Sequence, residues 1–197
     1  MILARLREAT HDAHERLEAR IDILECASSF PTYKTLLKQF YGFYFLLEPR
    51  LADVIASELP TFDFEARRKV PLLAQDLGVL GMRRDQLDAL PVCRALPAVE
   101  ALPRALGCLY VMEGATLGGK IISRYLRERL DLDATNGAAF FNGYGGETGR
   151  MWRAFGEMLT CWTEEETGAD DALILQGANQ TFAALEVWLA REETSNG

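Results

Sequence analysis

Histidine is scarce in this chain. There are two, His11 and His14, among 197 residues. Both fall in one helical stretch, which argues against a metal site that gathers histidines from several helices, such as the paired Glu-x-x-His sites of di-iron bundles. Cysteine is sparse as well. Cys26, Cys93, Cys108 and Cys161 lie far apart and form no CxxC pair, which argues against a zinc site or a disulfide framework. Positive charge is outweighed, 21 Lys and Arg against 29 Asp and Glu, for a net charge of −8. Nucleic acid and an anionic membrane are therefore poor candidates for the main partner. No apolar run reaches the roughly 18 residues that a membrane helix needs. The first ten residues carry charges where a signal peptide is apolar. There is no repeat, no low-complexity tract and no Gly/Ser/Pro linker. These absences predict one domain over 1–197, with about 192–197 frayed, in the cytoplasm.

What is present is helical periodicity. Leu3, Leu6, Thr10, Ala13, Leu17, Ile21 and Leu24 recur at spacings of three and four. Ser28 or Ser29, followed by Pro31, starts a second helix that runs to about Ser57. Pro49 is expected to kink it. Asp63 is expected to cap a third helix ending near Gly78, and a short helix is expected at Arg84–Leu90. A long helix spans roughly Ala98 to Leu130, residues 131–146 read as a loop, and further helices cover Glu147–Glu165 and Asp171–Arg191. No stretch alternates with period two. The prediction is a single all-α bundle. The aromatics Tyr33, Phe40, Tyr41, Phe43, Tyr44 and Phe45 read as core.

The long helix contains Gly114, Gly118 and Gly119. Each interior glycine costs about 1 kcal/mol relative to alanine, so the three cost roughly 3. Such a cost is kept where something must approach the backbone closely. Gly107, Gly114 and Gly118 recur at spacings of seven and four and so share a face. Two readings fit: small-residue packing against another helix, or a flat ligand. A flat macrocycle with carboxylates would need cations, and Arg7, Lys120, Arg124, Arg150 and Arg153 are candidates, although a lone arginine is usually solvated.

The histidines offer the same choice. At 100° per residue, His14 lies about 60° from the centre of the first helix's apolar stripe and His11 about 120° away, nearer solvent. Glu18 is one helical turn beyond His14. One reading is a boundary histidine with an ordinary i,i+4 partner. The other is an iron ligand whose second ring nitrogen is fixed by Glu18. A single histidine is enough for haem, which needs only one axial protein ligand.

Three segments, in order, carry a resemblance to the haem oxygenases. Leu6–Glu18 looks like their N-terminal haem-ligand segment. Tyr110-Val-Met-Glu-Gly-Ala-Thr-Leu-Gly-Gly119 looks like their distal helix. Residues 140–155 resemble a later segment of the bacterial branch, which includes enzymes that supply biliverdin to bacterial phytochromes. The resemblance implies a single-domain haem-oxygenase-like helical bundle. It also implies that haem is both substrate and cofactor, opened to biliverdin, CO and ferrous iron with O2 and an external reductant. His14 then matches the iron ligand, Glu18 its hydrogen-bond partner, Arg7 a basic residue near the propionates, and Arg150 and Arg153 further propionate candidates. Gly114, Gly118 and Gly119 match the distal glycines. Many family members have an aspartate where this chain has Ala115, so proton delivery would use another route, with Thr116 and Glu113 as candidates. Electrons would come from a ferredoxin or a reductase, because no flavin or nicotinamide fingerprint is visible, and a bacterial phytochrome is a candidate biliverdin acceptor. The rivals are a haem-binding or haem-transfer protein that never opens the ring, another enzyme on the same helical architecture (thiaminase-like or di-iron), and a helical interaction module.

Overall fold

The computed structural model describes residues 1–165 and 169–190. The helices are α1 (Ile2–Arg20), α2 (Ile23–Cys26), α3 (Phe30–Glu58), α4 (Val70–Val79), α5 (Arg84–Asp88), α6 (Leu102–Leu130), α7 (Ala139–Asn142), α8 (Thr148–Glu165) and α9 (Ala169–Leu189). Single 3-10 turns cover Glu65–Arg67 and Gly145–Glu147. There is no strand among the described residues, as the period of the apolar positions requires. The expected frayed tail and Arg191 lie outside the described residues.

Helix ends follow local chemistry. The Ser29 side chain accepts from the Thr32 backbone N–H and Pro31 sits in the first turn of α3, so this start is read correctly from sequence. α3 runs unbroken through Pro49 to Glu58. Several boundaries differ from expectation, and α6 begins at Leu102 instead of near Ala98. α1 stops at Arg20 because Ile21 turns extended. Leu24 therefore leaves the α1 stripe and is exposed on α2. Asp63 caps the 3-10 turn, accepting from the Ala66 N–H at 3.1 Å, and the true helix starts only at Val70. Residues 131–146 are not all loop: α7 forms there because the buried Asp76 carboxylate accepts from the N–H groups of Ala139 and Phe140, both at 2.8 Å. This satisfies donors that a helix start leaves open.

The core centres on α6, which packs most extensively on α9, while α1 also packs on α9 and α3 packs on α4. Gly107 makes the α6–α9 approach possible, since a Cβ there would collide with the Ile174 carbonyl oxygen and stand 2.7 Å from the Ala178 nitrogen. The Trp188 indole ties α9 to α3 by donating to the Gln39 carbonyl at 2.7 Å. Tyr33, Phe40, Tyr41, Phe43 and Tyr44 are buried, and Phe45 is the exception at 37% exposed. α6 is also long and apolar enough to cross a membrane by length and composition, contrary to the reading that no stretch is, but half of its most apolar window is buried inside the bundle.

Candidate functional site

α6 changes character along its length. Residues 105–109 and 111–113 are buried, whereas Ala115, Leu117, Gly118, Lys120 and Ile121 are exposed. Tyr110, Gly114, Leu117, Gly118 and Ile121 share one face by helical spacing. On that face Leu117 and Ile121 stand 44% and 68% exposed. Nothing lies within 4 Å of a Cβ built at Gly118, and one at Gly114 would meet only the Trp152 ring, at 3.9 Å. This is an apolar strip with bare backbone at its centre, the surface a flat apolar ligand needs. Gly119 faces elsewhere: its missing Cβ makes room for the Phe141 carbonyl of α7. The glycines thus divide, with Gly107 and Gly119 serving chain packing and Gly114 and Gly118 left open.

Tyr110 joins the strip to α1 and α8. Its hydroxyl hydrogen-bonds Thr10, and its ring stands 5.8 Å from that of Trp152. Burial raises the Tyr110 phenol above its ordinary value, partly opposed by Thr10 and by the charge of Arg7. The tie therefore brings Thr10 beside the strip, with Arg7 near enough for its charge to act on the Tyr110 phenol. One turn beyond Thr10 is His14, whose Nδ1 lies 3.6 Å from a Glu18 carboxylate oxygen. Its ring packs edge-on to Phe182 of α9, centroids 5.6 Å apart. His11 pairs with Glu15 in the same way, at 3.2 Å. His14 is somewhat less exposed than His11, 54% against 64%, in the order the wheel gives, and the Phe182 contact separates them more clearly. With Nδ1 turned to Glu18, Nε2 is the nitrogen that can take a metal.

The candidate cations scatter. Arg153 lines an apolar groove of about 500 Å³ with Leu3, Trp152, Gly156 and Cys161, and Trp152 connects that groove to Gly114. Arg150 is exposed and donates to Glu147. Arg124 pairs with Glu128 at 2.8 Å. Lys120 is exposed.

Beneath the strip lies a largely buried polar cluster. The Glu113 carboxylate pairs with Arg67, accepts from the Tyr144 hydroxyl at 2.6 Å and lies 3.6 Å from the Lys69 ammonium. Lys69 in turn donates to the Tyr144 oxygen at 2.8 Å. Burial pushes the Lys69 pKa down, with Glu113 and Glu48 pulling the other way. Burial, then the Glu113 charge, pushes the Tyr144 phenol up. The Thr116 hydroxyl donates to the Glu113 carbonyl at 2.6 Å. Sequence reasoning did not single out Tyr110, Trp152, Phe182, Arg67, Lys69 or Tyr144. Tyr110 was readable, four residues before Gly114. Arg67 and Lys69 were not, because Arg67-Arg68-Lys69 looks like a solvated basic triplet.

A family model described as Heme oxygenase matches residues 1–191. The chain is 32% identical over 162 residues to a heme oxygenase of Xanthomonas campestris pv. campestris (strain 8004), covering 82% of this chain and 90% of that protein. The fold is similar to the NO- and CO-bound heme oxygenase of Neisseria meningitidis, with a TM-score of 0.77, 24% identity and coverage of 96% of this chain and 90% of the other. It is also similar to heme oxygenase of Leptospira interrogans, with a TM-score of 0.72, 19% identity and coverage of 96% and 98%. Heme oxygenase-1 of Synechocystis sp. PCC6803, solved in complex with heme, gives a TM-score of 0.74 at 17% identity, covering 95% of this chain and 90% of that one.

Proposed function

Because the chain belongs to the haem oxygenase family, we propose that it binds haem through His14 and opens the ring to biliverdin, CO and ferrous iron. The observation that carries this is the bare strip at Gly114 and Gly118, flanked by exposed Leu117 and Ile121 and joined through Tyr110 to the helix that holds His14. When bound, haem supplies the iron that activates O2 and the ring carbon that is oxidised, so the protein's share is binding, orientation and electrostatics.

His14 would take the iron through Nε2, with Glu18 on Nδ1 fixing the ring and raising its basicity. A neutral imidazole suits an oxygenase of this kind better than a thiolate, whose electron push favours O–O cleavage. Gly114 and Gly118 would let the macrocycle approach the α6 backbone, and Leu117 and Ile121 would offer it apolar contact. Gly119 works from behind, seating α6 on Phe141. Arg7 and Arg153 are the best placed cations for the propionates. Arg150 could serve only by leaving Glu147. The Thr116 hydroxyl proton is held by the Glu113 carbonyl, so its oxygen can accept from a water on the distal side. Electrons would arrive from a ferredoxin or reductase, and a bacterial phytochrome could accept the product. A cytoplasmic setting is part of this proposal, since Cys26, Cys93, Cys108 and Cys161 lie far apart in the sequence and form no CxxC pair.

Ala115, exposed beside Gly114, supports a second reading, a haem carrier without ring opening, because no carboxylate stands at that position to organise distal water. Anaerobic haemin titration followed by ascorbate and O2 decides between them. A stoichiometric Soret band decaying to a biliverdin spectrum is expected. A band that survives both additions, with a physiological donor also tried, establishes the carrier. No Soret band defeats both readings.

A further inference from the structure

Buried charges need a reason, since desolvation offsets most of their mutual attraction. This protein buries three together: Glu113, Lys69 and Arg67 are 1%, 3% and 6% exposed. Arg67 and Lys69 come from one short segment and Tyr144 from a distant one, and all meet on the Glu113 carboxylate. Arg67 arrives from the 3-10 turn before α4, Lys69 from the start of α4, and Tyr144 from the loop before α8. Arg67 also donates to the Met151 carbonyl of α8 at 3.4 Å and covers the Phe62 ring at 4.6 Å. Glu113 is therefore a knot tying α4, α8 and the 143–147 loop to α6.

The place of the knot matters. Glu113 ends the buried half of α6, and the open strip begins at the next residue. The Glu113 side chain leaves the helix about 100° around from the position of Gly114, so the carboxylate acts on the strip through the backbone. Thr116 extends the hold: it bonds the Glu113 carbonyl at 2.6 Å and leaves 3.7 Å to a Cβ built at Gly143. Resting on the haem oxygenase reading, we propose that Glu113 is a positioning residue, which Arg67, Lys69 and Tyr144 anchor so that the Gly114–Gly118 strip sits at the depth a flat macrocycle requires.

The test compares wild type with Tyr144→Phe, which keeps the ring and removes the hydroxyl bridge, and with Glu113→Gln, which removes the charge but keeps an acceptor. Amide exchange is followed in the ligand-free protein, and the haemin Kd is measured separately. Exchange of residues 114–121 should accelerate about tenfold or more in Tyr144→Phe relative to α1 and α9, the equivalent of one lost hydrogen bond to a charged group. The haemin Kd should rise by a similar factor. Glu113→Gln should loosen the same segment. Equal acceleration in every helix would show a merely structural cluster and overturn the proposal, as would unchanged exchange and affinity in Tyr144→Phe. If wild type itself gives no Soret band, the haem reading fails, while the exchange pattern still reports on the anchor.

Discussion

Gly118 and Gly119 are neighbours in sequence with opposite surroundings. A Cβ added to Gly118 meets nothing within 4 Å, whereas one added to Gly119 runs into the Phe141 carbonyl oxygen. The hundred degrees of turn between them separates an open surface from a packing surface.

That contrast predicts opposite responses to alanine. Gly119→Ala should destabilise the ligand-free protein by about 1–3 kcal/mol, since backbone must move. Gly118→Ala should stabilise it by up to about 1 kcal/mol, the helix-propensity gain, while weakening haemin binding. Urea denaturation of both variants, with haemin titrations, checks the pair. Equal destabilisation would contradict the division.

His14→Ala should lose the axial ligand and change the haem spectrum, and added imidazole should restore much of it. His11→Ala, with the same kind of carboxylate partner, should leave the spectrum unchanged. Glu18→Ala should weaken haem affinity by roughly 10–100-fold, the usual cost of removing a hydrogen-bond partner from a metal-bound histidine. An unaltered spectrum in His14→Ala would rule out its assignment.

Ile121→Ser removes an apolar side chain that is already mostly in water, so the ligand-free protein should keep its stability within about 0.5 kcal/mol. Haemin affinity should nevertheless fall severalfold, as buried apolar area is worth roughly 25 cal/mol/Å². Val187, equally exposed at 62% on α9, is the control: Val187→Ser should change neither. Equal haemin affinities for the two variants would move the site off this strip.

Asp76 gives a pH signature. Burial raises its pKa from 3.8 to about 6, opposed by the N–H groups of Phe140 and Ala139. The folded state therefore holds the proton more tightly than the unfolded chain. Its contribution to stability is fully present below pH 4 and is lost as pH rises through 6, by roughly 3 kcal/mol. Wild-type stability should fall relative to Asp76→Asn between pH 4 and 7, measured by denaturant melts at each pH. A rising difference would mean that the two N–H donors outweigh desolvation.

Much of this architecture is legible in the chain. The period of apolar residues announces α1, α3, α6, α8 and α9, and Ser29 with Pro31 marks where α3 begins. α7 escaped because its helix start is completed by Asp76, a residue 63 positions away that no local pattern reveals. The glycine run showed that something approaches α6 closely, but spacing could not tell Gly107, which meets α9, from Gly114 and Gly118, which meet none of the chain's backbone. His14 and Glu18 were visible as an i,i+4 pair, as were His11 and Glu15; Phe182, brought in by α9, makes the difference. The Glu113 cluster unites four residues from three distant segments, and only the fold assembles it.

α6 is a beam clamped over its first half and bare along one face of its second. A molecule that fills that face adds its binding free energy to the fold, by RT ln(1 + [L]/Kd) for a ligand that ignores the unfolded chain. At a hundred times Kd this is about 2.7 kcal/mol, a large share of the margin a domain usually has. If the proposed substrate is what fills that face, the lifetime of the protein would depend on it: molecules without substrate would open more often, and molecules supplied with it would persist. Abundance would then follow demand without any separate sensor.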